Sequence, residues 1–151
     1  MRKTILVSLV LLLTGALAQA QMKVKPATGK SPVIVNGARS GATSFSRISQ
    51  ADALKLYREG RAVFIDVRSS TQFSYGHVKG ALSIPRSQVV SRFAEVPLQK
   101  TIITYCACGA EESSGHAATD LVNHGVKNVY ALKGGWSEWK ASGHPIAVGP
   151  K

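Results

Sequence analysis

Apolar positions along this chain switch between two spacings, and the switches mark out an α/β order. Residues 62–67 (AVFIDV) and 101–105 (TIITY) are near-continuous apolar, β-branched runs, as expected of strands covered on both faces. Residues 128–132 form a similar run, and 78–84 a weaker one, punctuated by Gly80 and closed by Pro85. Between them the period becomes helical. Ser49 caps a predicted helix with Asp52 three positions on, Ala53, Leu54, Leu56 and Tyr57 supply its buried face, and Gly60 ends it. Residues 69–75 predict a short polar turn or helix broken by Gly76-His77, and 87–93 a short helix with Val89, Val90 and Phe93 inward. Ala117, Ala118, Leu121 and Val122 share one face of a longer helix. Gly134-Gly135 lead into a last one, in which Trp136 and Trp139 are read as core packing. Strands alternating with helices in this way predict an α/β sandwich with right-handed crossovers.

The N-terminus follows a different logic. Arg2 and Lys3 precede an apolar run at residues 5–13, and Ala18-Gln19-Ala20 supplies small residues for cleavage. Residues 1–20 are therefore expected to be a cleaved signal peptide, too short to remain as a membrane anchor. The destination is the periplasm or the exterior. Residues 21–44, rich in Lys, Pro, Gly, Ser and Thr, predict a flexible basic arm with Val33-Ile34-Val35 as its one apolar patch. One domain, 45–151, remains.

Charge narrows the partners. The 151-residue chain carries 19 basic and 8 acidic residues, and losing Arg2 and Lys3 leaves a net +9. The basic residues are spread rather than set in a stripe with aromatics, which argues against nucleic acid. A solvated basic surface accounts for them, and an anionic membrane surface, an acidic partner or a small anionic substrate stays open beside it.

Both cysteines stand together, in the turn between the 101–105 run and the following helix: Cys106, Ala107, Cys108, Gly109, Ala110, Glu111, Glu112. A thiol at the end of a buried strand, facing a helix N-terminus, is placed to act as a thiolate nucleophile at a loop rim. The competing reading is a small core residue. Two cysteines with His77, His116, His124 and His144 scattered do not form a zinc pattern. A Cys106–Cys108 bridge would close a very small, strained loop, so it reads as a redox state rather than a staple.

The stretches FIDVRSSTQFSYGHVKGALSIP, ITYCACG and GVKNVYALKGGWSEWKASGHPI resemble the rhodanese-like sulfurtransferase family. The motifs are Asp66-Val67-Arg68, Gly76-His77-Val78 with Gly80-Ala81, Tyr105-Cys106 and Gly134-Gly135-Trp136, all in register. The resemblance implies a three-layer sandwich, with a five-stranded parallel sheet and helices on both faces. It implies further that Cys106 carries a persulfide between half-reactions, with residues Ala107, Cys108, Gly109, Ala110, Glu111 and Glu112 as a cradle of main-chain amides. A small sulfur donor such as thiosulfate and a cyanide or thiol acceptor are the expected partners, with a redox protein as a further one. No cofactor and no metal are called for.

The loop departs from that family pattern. Where a cation often stands about five residues past the cysteine, this chain has Glu111 and Glu112, which are expected to repel thiosulfate and, if they face the sulfur, to raise its pKa. The phosphatases of this fold need an Arg six positions on, where Glu112 stands. Asp66 and Arg68 are read either as loop anchors that attract substrate or as a structural ion pair. His77 is read as a turn fastener and His116 as solvent-facing, while Ser113 and Ser114 are expected to cap the helix rather than donate to the sulfur. Cys108 is either a resolving thiol that attacks the Cys106 persulfide or a loop residue without a role. Three functions follow: a sulfurtransferase, a thiol–disulfide or persulfide redox protein using both cysteines, and a non-catalytic binding module that kept the fold.

Overall fold

The computed structural model describes residues 45–107 and 109–150. The expected signal peptide, the basic arm and Cys108 lie outside the described residues. A five-stranded parallel sheet runs in the order β1-β6-β5-β2-β4, made of β1 (Arg47–Ile48), β2 (Ala62–Asp66), β4 (Leu82–Ser83), β5 (Thr101–Tyr105) and β6 (Val129–Leu132). A two-stranded antiparallel ribbon, β3 (His77–Val78) with β7 (Ile146–Ala147), stands beside it.

The two central strands sort their side chains by alternation, and each face gets its own helices. Phe64, Ile103 and Tyr105 point to a cluster with Leu56 of α1 (Gln50–Arg58), Phe73 of α2 (Ser70–Tyr75) and Trp139 of α4 (Gly135–Ala141). Ile65 and Ile102 point the other way, to Ala117, Ala118 and Leu121 of α3 (Glu112–Asn123) and to Val89 and Val96. These clusters make the chain a three-layer α/β sandwich, as expected.

Local chemistry fixes the helix starts. The Ser49 hydroxyl accepts the Asp52 N–H at 3.1 Å, and Ser69 with Gln72 forms a full capping box ahead of α2. The expected turn or helix over 69–75 is thus a helix from Ser70 to Tyr75 with Ser69 as its cap. Several expectations fail. The single strand predicted over 78–84 is two, β3 and β4, in different sheets, because the chain turns at Gly80, where φ is +81°. The predicted helix over 87–93 is a pair of 3-10 turns, Arg86–Gln88 and Phe93–Glu95, and Val90 faces solvent. Val122 is half exposed, since the apolar face of α3 is narrower than the sequence spacing indicates. Of the two tryptophans, Trp139 is fully buried, while Trp136 is only partly so and turns toward the site.

Candidate active site around Cys106

β2 and β5 are paired with Asp66 beside Tyr105, so Val67-Arg68 and Cys106 leave the sheet together at its C-terminal edge. The crevice beyond that edge is where open α/β sheets hold ligands. Asp66 and Arg68 form a buried ion pair there. The Arg68 guanidinium donates to both carboxylate oxygens, and its Nη2 also donates to the Gly76 carbonyl at 2.6 Å. Burial works against the charge of Arg68, but the hydrogen bond and field of Asp66 outweigh it and raise the pKa. The Tyr105 hydroxyl sits between Asp66 and the Val78 N–H, which donates to it at 3.1 Å. Burial first, and the Asp66 charge second, push that phenol well above its ordinary range. Arg68 also lies under the Trp136 ring, 4.8 Å from its centroid. The guanidinium is thus spent on structure: it locks the α2 end, β5 and α4 into one frame behind the cysteine.

Cys106 itself is 3 % exposed and packs with Ile65, Val67, Ile84 and Ala117. It stands at the sheet edge as expected, yet it is enclosed rather than at an open rim, while Ala107, Gly109 and Ala110 are exposed. Its sulfur is disulfide-bonded, and Cys108 lies outside the described residues. The Cys106 carbonyl accepts the Trp136 N–H at 2.9 Å, which fastens Cys106 to the start of α4. Gly135, with φ +53°, passes so close to that carbonyl that no Cβ fits.

Glu111 does not face the sulfur. Its carboxylate accepts the Gly134 N–H at 2.9 Å and the Arg47 Nε–H at 2.8 Å, and the residue takes a left-handed backbone, φ +53°, to get there. Glu112 opens α3 and is exposed, where its charge complements the helix N-terminus. The repulsive pair expected beside the sulfur is therefore one tethering carboxylate and one solvated one.

α3 has no side-chain N-cap. Ser114, expected to cap it, is fully buried instead, with its hydroxyl 3.6 Å from the Cys106 sulfur and donating to the Glu111 carbonyl at 3.0 Å. Ser113 is exposed. His77 stacks on Phe73 at 3.6 Å between centroids and places Nδ1 2.9 Å from the Phe73 carbonyl, so it fastens the α2–β3 turn. His116 is exposed. Among the described residues no group of three His, Cys, Asp or Glu stands close enough to hold a metal ion.

The profile of the rhodanese-like domain matches residues 49–142. This chain belongs to the rhodanese-like domain family. Among curated relatives, the Bacillus subtilis protein YqhL is 39 % identical over 95 residues, covering 62 % of this chain and 74 % of that one. The thiosulfate sulfurtransferase GlpE of Pseudomonas entomophila is 34 % identical over 100 residues, covering 66 % of this chain and 89 % of that one. The solution structure of a rhodanese-like domain from the Anabaena protein Alr3790 superposes with a TM-score of 0.61 at 27 % identity, over 68 % of this chain and 78 % of that one. Within the rhodanese frame, sequence reasoning missed Arg47 and Gly134 as partners of Glu111. No local signal ties residues 64 positions apart.

Proposed function

We propose that this rhodanese-like protein is a sulfurtransferase that carries sulfane sulfur on Cys106. The observation that carries this reading is the Cys106 sulfur at the C-terminal edge of β5, within reach of a first-turn residue of α3. Such a helix start offers unpaired N–H groups and a positive dipole end, which favour a thiolate or persulfide there. The likeness to GlpE, a thiosulfate sulfurtransferase by name, points the same way.

The cycle begins when a thiol reductant supplies two electrons to open the disulfide at Cys106. The Cys106 thiolate attacks the outer sulfur of the donor; with thiosulfate, that S–S bond breaks and sulfite leaves with the electron pair. Cyanide or a thiolate then attacks the outer sulfur of the persulfide and takes it away, returning Cys106 to the thiolate. Residues Ala107 to Glu112 supply the amide cradle on this reading, and Glu111, paired with Arg47, leaves an anionic donor less repulsion than two free carboxylates would. The leader pattern at residues 1–20 supports an activity outside the cytoplasm.

The test is intact mass of the reduced protein after a sulfane donor. One added sulfur mass, removed by cyanide and absent in Cys106→Ser, supports the proposal; no adduct, or one that persists in Cys106→Ser, rejects it. A second reading, a thiol–disulfide or persulfide redox protein, is favoured by one observation, the disulfide-bonded state of Cys106. In that case free-thiol counts on protein taken from its own compartment cycle between none and two without stable sulfur uptake.

A further inference from the structure

We propose that Ser114 is a catalytic residue: its hydroxyl donates a hydrogen bond to the Cys106 sulfur whenever that sulfur leaves as a thiolate. The inference rests on the sulfur-carrier reading and assigns a role to a residue whose sequence context pointed to capping.

Four observations place the hydroxyl. Ser114 is fully buried in the first turn of α3, with no solvent to compete for its proton. Its main chain is pinned, because its carbonyl accepts the Thr104 hydroxyl at 2.8 Å, and Thr104 belongs to β5, two residues before Cys106. Its Oγ lies 3.6 Å from the sulfur, inside the longer reach that sulfur allows. The sulfur is disulfide-bonded and has no proton, so in this pair only the serine can donate.

The hydroxyl also has somewhere else to go. It donates to the Glu111 carbonyl at 3.0 Å, and that carbonyl already accepts the Gly115 N–H at 2.7 Å. Losing the serine proton leaves the carbonyl satisfied, so the O–H can rotate between carbonyl and sulfur without stranding a buried acceptor. A neutral thiol would donate its own proton to Ser114 Oγ while the serine keeps its bond to Glu111. A thiolate reverses the direction, and the bond becomes charge-assisted.

This matters most in the second half-reaction. The acceptor's lone pair bonds to the outer sulfur, the bond from that sulfur to Cys106 Sγ breaks, and the electron pair stays on Sγ. No proton moves between groups; the Ser114 O–H turns from the Glu111 carbonyl to Sγ as the charge arrives. The same step serves a thiol that opens the disulfide by attacking the partner sulfur and expelling Cys106.

The experiment uses reduced full-length protein in a Cys108→Ser background, so that one thiol is read. Alkylation rate against pH gives the thiol pKa, and mixing the cyanide acceptor with preloaded protein gives the discharge rate. Ser114→Ala is expected to raise the pKa by about one unit and slow discharge about tenfold, the size of one hydrogen bond to a charge. Ser113→Ala, on the exposed neighbour, is expected to change neither. With Ser114 intact, the Ser114 Cβ resonance should titrate with Cys106, a readout that needs no folded variant. An unchanged pH profile in Ser114→Ala, or a Ser114 resonance indifferent to the thiol, overturns the proposal. Failure of the Ser114-intact protein to take up sulfur from any donor would reject the carrier reading alone, since the titration and the resonance still decide the contact.

Discussion

Gly135 and the Cys106 carbonyl oxygen are in such close apposition that residue 135 can carry no side chain, and the neighbouring Trp136 N–H closes the contact at 2.9 Å. The Gly134-Gly135-Trp136 element is thus a seat for Cys106 rather than a loop of convenience. Gly135→Ala combines a left-handed φ of +53° with a clash against backbone. It is expected to cost about 2–4 kcal/mol, read in urea unfolding, and to change the alkylation rate of Cys106. Wild-type values in both would contradict the contact.

The Asp66–Arg68 pair is shielded from solvent, so breaking it from one side strands a charge. Asp66→Ala is expected to lose about 3–5 kcal/mol, and Asp66→Ala with Arg68→Met to recover a large part of that. The check is a double-mutant cycle by urea denaturation. A double variant no more stable than Asp66→Ala would mean that the stranded Arg68 charge is not what the single variant suffers from.

Glu111 and Arg47 should respond unequally. The Arg47 side chain is 39 % exposed and that of Glu111 11 %, so Arg47→Ala is expected to cost at most about 1 kcal/mol. Glu111→Ala also orphans the Gly134 N–H and is expected to cost about 1–3 kcal/mol. Comparing unfolding midpoints of the two variants decides it; the reverse order would place the weight of the tether on the wrong partner.

Tyr105 makes the fold sensitive to alkali. Its phenol keeps its proton in the folded protein beyond the ordinary titration range, owing to burial and then to Asp66, whereas the unfolded chain releases it near pH 10. Its contribution is complete below about pH 10 and is lost as pH rises above that. Tyr105→Phe should therefore be less stable at neutral pH by about 1–2 kcal/mol, with the gap to wild type narrowing above about pH 10. Thermal midpoints across that pH interval give the test, and parallel curves would count against it.

The layers of the fold were legible because long runs speak clearly: AVFID and TIITY have the unbroken apolar character of doubly covered strands, and the Ser49 cap marked α1. Two-residue strands carry too little pattern. β1 and β7 went unseen, and the Gly80 turn between β3 and β4 read as a pause in one strand. At the candidate site, the placement of Asp66, Arg68 and Cys106 at the C-terminal ends of β2 and β5 was legible from motif and position. The destination of Glu111 was not, because its partners are set by the β1–β6 pairing and the Gly134 turn, both tertiary. Ser114 illustrates the same limit: local preference points to a cap, while the N-cap position falls on a left-handed Glu111 and the Ser114 hydroxyl is buried against the Cys106 sulfur.

The β3–β7 ribbon joins His77 to Ala147 and Val78 to Ile146, and the Gly149 N–H reaches back to the Ser74 carbonyl at 2.8 Å. The turn that receives the Arg68 guanidinium is therefore clipped in place by the last residues of the domain, and loss of residues 146–149 would release the segment around the Gly76 carbonyl while leaving the five parallel strands paired.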